Sequence, residues 1–128
     1  MFDLQQIDHV AILVKDIEAS CEWYKNVLGL EHYYKGKWDG VPTMIGKGNS
    51  CIALFKTSSD KPNPLPDNNT IKMLHLAFRC NMENFIKAQD ELNEKKITFS
   101  FQDHEIAQSI YFNDPDGHII EITTYEIE

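Results

Sequence analysis

The sequence predicts an α+β fold made of two consecutive βαβββ modules, and two recurrences with one pattern of punctuation carry that prediction. His9, in Ile7-Asp8-His9-Val10-Ala11-Ile12, returns 66 residues later as His75, in Met73-Leu74-His75-Leu76-Ala77-Phe78. The apolar run Cys51-Ile52-Ala53-Leu54-Phe55 returns 68 residues later as Ile119-Ile120-Glu121-Ile122-Thr123. Between the members of these pairs the same series of strand and helix signals occurs twice, and self-similarity at a long, nearly fixed spacing marks repeated supersecondary units.

Taken in order, residues 7–14 alternate and are rich in Val and Ile, which predicts a strand with His9, Ala11 and Leu13 on one face. Asp16 is placed to cap a helix whose apolar positions Ile17, Cys21, Tyr24, Val27 and Leu28 keep helical spacing, and Gly29 is placed to end it. Three strands follow, at 31–34, 42–45 and 50–55, separated by Gly36, Gly40, Gly46 and Gly48. Gly46-Lys47-Gly48-Asn49 lacks the spacing and the following helix of a phosphate-binding loop, so it reads as a hairpin turn. Three of the five prolines fall between Lys56 and Thr70 with Ser, Asp and Asn, which makes this stretch the connecting loop.

The second half starts again with a strand over 71–79. A helix over about 82–95 follows, with Phe85, Ala88 and Leu92 on one face and the charge-rich Glu91–Lys96 as its solvated end. Strands are expected at 97–101, 109–113 and 118–124, the last two joined by the turn Asp114-Pro115-Asp116-Gly117. The expected organisation is one domain over 1–128, with modules at about 5–56 and 71–126 and a linker at about 57–70.

A chain of 128 residues can bury roughly two-thirds of its unfolded surface. Its net charge of −8 argues against nucleic acid as a partner, since binding phosphates requires clustered Lys and Arg. No apolar run reaches the ~20 residues that span a bilayer, and the first residues lack the basic start and apolar core of a signal peptide. The expectation is therefore a cytoplasmic protein without a membrane partner. Cys21, Cys51 and Cys80 are odd in number and without C-x-x-C spacing, so they are expected to be small core residues.

His9, His75 and Glu121 stand at matching places in the repeat, and this makes them the candidate metal ligands. For each there is a plainer reading. A strand histidine can be hydrogen-bonded within its sheet, and Glu121, alternating with Ile120 and Ile122, could face solvent at an edge. A carboxylate inside an apolar strand is costly without a partner, however. His104 can be read as a loop histidine or as a general acid or base, because imidazole titrates near neutral pH. His32 and His118 read as surface residues. Tyr111 and Phe112 are core or pocket residues, and Trp38, Met44, Phe55 and Phe101 are candidate pocket walls.

The segments Ile7–Ile12, Trp23-Tyr24-Lys25-Asn26-Val27-Leu28-Gly29-Leu30, Leu74–Phe78 and Asp114-Pro115-Asp116-Gly117-His118-Ile119-Ile120-Glu121 together resemble the vicinal oxygen chelate superfamily. That group contains glyoxalase I and the fosfomycin resistance, bleomycin resistance and extradiol dioxygenase proteins. The resemblance implies paired βαβββ modules forming a curled mixed sheet around a small-molecule and metal pocket, commonly in a homodimer. The four-ligand pattern of glyoxalase I falls here on His9, Ala53, His75 and Glu121, so one ligand is missing. The set that remains is similar to the His, His, Glu arrangement of the fosfomycin resistance and extradiol branches, which leaves positions open for a substrate.

The fosfomycin branch has a hydroxyl residue two places after its first His, where this chain has Ala11. The extradiol branch has a His before a Tyr, the D-P-D-G turn and the Glu. His104, Ile110-Tyr111, the turn and Glu121 follow that order, although Gln102 departs from it. The implied function is a metal-dependent enzyme acting on a small-molecule substrate, by a lyase, isomerase, ring-cleaving or thiol-adding reaction. Glu121 and His104 would be its catalytic groups, and Fe, Mn, Ni or Zn the candidate divalent ions. The alternative is a metal-free binding protein similar to bleomycin resistance proteins, for which the acidic charge would suit a cationic ligand.

Overall fold

The computed structural model describes residues 1–127. Contacts divide the chain into two compact units, residues 1–63 and 64–128. In the first, β1 (Val10–Val14), α1 (Ile17–Leu28), β2 (Glu31–Tyr33), β3 (Thr43–Lys47) and β4 (Ser50–Lys56) follow one another. The second repeats the series as β5 (Leu76–Arg79), α2 (Met82–Glu94), β6 (Ser100–Asp103), β7 (Gln108–Asn113) and β8 (Ile119–Thr124). Each unit thus holds one four-stranded mixed sheet, in the order β1-β4-β3-β2 or β5-β8-β7-β6, and the βαβββ repeat is present twice.

Local chemistry sets the helix ends. Asp16 accepts a hydrogen bond from the Ala19 amide at 3.1 Å, and Gly29 closes α1 in the left-handed region at φ 68°, which a residue without Cβ adopts at little cost. Asn81 caps α2 in the same way through the Asn84 amide at 2.9 Å. Tyr24 of α1 is buried in the first unit with Ile45, Ile52 and Leu54, and the helix packs on β3 and β4. Phe85 and Leu92 are the buried residues of α2, which packs on β8. Ile110, Phe112, Ile120 and Ile122 complete the buried set of the second unit.

Three strands begin three or more residues later than expected, and the others differ by one or two residues at an end. β1 starts at Val10 rather than residue 7 because its parallel partner β4 offers a ladder only from Ile52 onward, just past the β3–β4 hairpin turn. β5 starts at Leu76 rather than residue 71 because its register with Ile120 would set the preceding residues beside the Asp114 turn. β6 starts at Ser100 because the exit from α2 occupies the residues before it: Lys96 is left-handed at φ 58°, and the Ile97 amide donates to Leu92 O. His9 and His75 therefore each stand one residue ahead of a strand. The three cysteines are free and only partly buried, so they are not core residues. Among the described residues no helix is long and apolar enough to cross a membrane.

Candidate functional site

Strand pairing in the second unit builds a polar rung. Glu121 of β8 lies between Ala77 of β5 and Tyr111 of β7, and Tyr111 pairs onward with Ser100 of β6. Side chains alternate along a strand, so Ser109 and Tyr111 share a face of β7, as Glu121 and Thr123 share a face of β8. Glu121 is 8% exposed and Ser109 fully buried. Glu121 is thus an interior carboxylate and not a solvent-facing edge residue, and its partners offset a desolvation cost of several kcal/mol.

Each carboxylate oxygen of Glu121 has its own partner. His75 Nε2 approaches Oε1 at 2.8 Å, and Ser109 Oγ donates to Oε2 at 2.6 Å. Ser109 Oγ also lies 2.9 Å from Thr123 Oγ1, whose hydroxyl reaches Gln108 O at 3.2 Å. The His75 ring stands edge-on to Tyr111, with centroids 5.6 Å apart. Burial first, and then the neighbouring Glu121 carboxylate, push the Tyr111 phenol above its ordinary value. The phenol therefore remains protonated at neutral pH.

His104, in the β6–β7 connection, extends this network. Its Nε2 lies 3.0 Å from Tyr111 Oη. His104 thus joins an exposed imidazole to the phenol that stands beside the buried Glu121 carboxylate on the neighbouring strand. The sequence places His104 in the right order but does not show this contact. Ser109 and Thr123 are the residues of this network that the sequence reading misses. The signal available for them was their two-residue spacing from Tyr111 and Glu121 on strands whose alternate positions are Ile110, Phe112, Ile120 and Ile122.

His9 belongs to the first unit and is exposed, with Nδ1 2.8 Å from Asp8 Oδ2. A carboxylate at Nδ1 favours the tautomer that leaves the Nε2 lone pair outward, an arrangement common for metal-binding imidazoles. Among the described residues no three His, Cys, Asp or Glu side chains converge on a metal-sized position. His75 and Glu121 do present two donor atoms to each other. Bonds of about 2.0–2.2 Å to one ion would hold adjacent ligands about 3 Å apart, close to the observed spacing, so this pair fits one edge of a divalent-ion shell.

The expected pocket walls divide. Met44 is buried, whereas Trp38, Phe55 and Phe101 are exposed. Phe101 packs against Phe85 of α2 at 6.5 Å and so belongs to the helix-facing side of its sheet. A separate open cavity of about 480 Å³ in the first unit is lined by Cys21, Lys25, Glu31, His32 and Lys35 among others, and includes none of the candidate ligands.

The family model for the Glyoxalase/Bleomycin resistance protein/Dioxygenase superfamily matches residues 6–122. The chain is 30% identical over 124 residues to a metallothiol transferase FosB of Lysinibacillus sphaericus, covering 94% of this chain and 83% of that protein. It is 28% identical over 120 residues to a glutathione transferase FosA of Serratia marcescens, covering 93% and 80%. A solved glyoxalase/dioxygenase from Nostoc punctiforme superposes with a TM-score of 0.81 at 26% identity, over 96% of this chain and 92% of that one.

Proposed function

Because the chain belongs to the Glyoxalase/Bleomycin resistance protein/Dioxygenase superfamily, we propose that it is a metal-dependent enzyme acting on a small molecule through adjacent oxygen atoms. The observation that carries this reading is the His75 Nε2 to Glu121 Oε1 approach at 2.8 Å, made by a buried carboxylate with a hydroxyl fixed on its other oxygen. In this reading His75 and Glu121 hold a divalent ion. His9 is the third ligand, with Asp8 orienting its ring. The donors are two imidazoles and one carboxylate, a set that suits Fe, Mn, Ni or Zn. When bound, the ion supplies Lewis acidity toward substrate oxygens, or a redox centre if it is iron or manganese.

The chain's own residues then have defined parts. Tyr111, kept protonated, stands beside the ligand carboxylate as a hydrogen-bond donor for substrate and meets the His75 ring edge-on. His104 stands behind the phenol oxygen and can move a proton between solvent and the site. This His, Tyr and Glu order favours a ring-cleaving or isomerising reaction on a catecholic or enolic substrate. Thiol transfer is the second reading, favoured by the similarity to FosB and FosA; Ala11 stands against it, where a phosphonate-binding hydroxyl would be needed. A homodimer is part of the proposal, and His9 could then come from the second copy.

The test is elemental metal analysis of protein purified without chelator or affinity tag, beside a His75→Ala, Glu121→Ala double variant. Near-stoichiometric metal in the wild type that is lost in the variant supports the enzyme. Equal, negligible metal in both after incubation with divalent ions would leave a metal-free small-molecule binder. Oxygen uptake with a catechol panel against thiol consumption with a panel of electrophiles then separates the two reaction classes.

A further inference from the structure

We infer that Ser109, backed by Thr123, is a positioning residue that occupies one oxygen of Glu121 so that a divalent ion meets only the other; this rests on the metal-dependent reading above. Three observations support it. Ser109 is fully buried, so its hydroxyl has no water to serve and its single proton must go to a protein acceptor. The acceptor is Glu121 Oε2, at 2.6 Å, while Oε1 points to His75 at 2.8 Å. A charge-assisted bond of that length directs the carboxylate strongly. With the serine proton on Glu121, the Thr123 hydroxyl 2.9 Å away on the next strand is the group that can donate to the Ser109 oxygen, its other acceptor in reach being Gln108 O at 3.2 Å.

The first unit supplies an internal control. Its register puts Thr43 opposite Leu54, where the second unit has Ile110 opposite Ile122. The residues matching Ser109 and Thr123 are therefore Pro42 and Phe55, and the residue matching Glu121 is Ala53. The hydroxyl pair occurs in the unit with the carboxylate and is absent from the unit without it. Strand propensity or core packing alone would not couple the three positions. A carboxylate whose second oxygen is engaged binds an ion through one atom, which leaves one more coordination position for a substrate than two-oxygen binding does.

The experiment titrates the metal-free full chain with Co²⁺ and follows affinity and the visible absorption bands for wild type, Glu121→Gln, Ser109→Ala, Ser109→Thr and Thr123→Val. Circular dichroism confirms folding of each. Ser109→Ala is expected to weaken Co²⁺ by about 10- to 100-fold and shift the absorption bands, as loss of an outer hydrogen bond to a ligand does. Ser109→Thr should restore both. Thr123→Val should weaken binding only a few-fold. A folded Ser109→Ala with wild-type affinity and spectrum, while Glu121→Gln loses Co²⁺, overturns the role of Ser109 and leaves the metal reading standing. A wild type that binds no Co²⁺ overturns both.

Discussion

The two units use one scaffold for different ends, and the same rung of each sheet shows how. In the first it runs Ala11, Ala53, Met44, Tyr33; in the second, Ala77, Glu121, Tyr111, Ser100. The backbone register is the same, yet one rung is closed by apolar packing and the other carries a carboxylate and a phenol. Glu121 is nearly as buried as Ala53, so burial alone did not decide which unit keeps a charge. The neighbours decide: Glu121 has His75 and Ser109 as partners with Tyr111 beside it, whereas Ala53 has Pro42 and Met44 at the places of Ser109 and Tyr111, and its histidine, His9, is exposed and paired with Asp8. A duplicated fold can thus keep a polar rung in one copy while the matching rung of the other becomes packing.

The sharpest way to break the comparison is to erase its polar member. Glu121→Ala should lower divalent-ion affinity by on the order of a thousandfold, since a charged ligand is lost, while the metal-free fold changes by less than about 2 kcal/mol. Equilibrium dialysis and urea unfolding read the two effects separately. The converse change, Ala53→Glu, places a carboxylate beside Met44 with Pro42 and Phe55 at the places of Ser109 and Thr123 and His9 already paired with Asp8, and should destabilise the chain by roughly 3 kcal/mol or more. A denaturation midpoint equal to wild type would show that the first rung tolerates charge, and would remove the account given of the difference.

A smaller effect tests a contact peculiar to the first unit. A Cβ on Gly46 would lie 2.4 Å from Ser50 O and 2.8 Å from Tyr33 Cε2, whereas the matching position of the second unit is Asn113. Gly46→Ala should cost about 2 kcal/mol by forcing the hairpin apart, with thermal unfolding as the measure. Smallest of all, Asp16→Ala and Asn81→Ala should each cost about 1 kcal/mol, because each removes one cap from equivalent helices. Unequal losses would mean that the two helices do not contribute alike.

The repeat was legible because it is written in residues with few alternative uses. Asp16 and Gly29 bracket α1 as the sequence implies, and the Asp114-Pro115-Asp116-Gly117 turn falls where β7 and β8 meet. The beginnings of β1, β5 and β6 were less legible, since a strand starts where its partner can hydrogen-bond and not where its own residues become apolar. In the candidate site, His75 and Glu121 stand out by chemical type. Ser109 and Thr123 do not: a serine or threonine in a strand has many ordinary roles, and only the cross-strand pairing reveals that the Ser109 hydroxyl meets Glu121 and the Thr123 hydroxyl stands behind it. The His104 to Tyr111 contact depends on how the loop returns between β6 and β7, which spacing alone does not specify.

The turn before β8 governs more than a change of direction. Asp114 Oδ1 accepts from the amides of Asp116 and His118 at 2.9 and 2.8 Å, and the Asp114 amide donates to His118 O at 2.9 Å, so the loop has a fixed length. A strand has a parity: its odd residues look one way and its even residues the other. The turn sets that parity for Ile119–Thr124, and inserting a single residue there would send Ile120 and Ile122 to the ligand side and Glu121 toward α2. Which side chains share the Glu121 face is thus decided several residues upstream, by the number of residues in a turn.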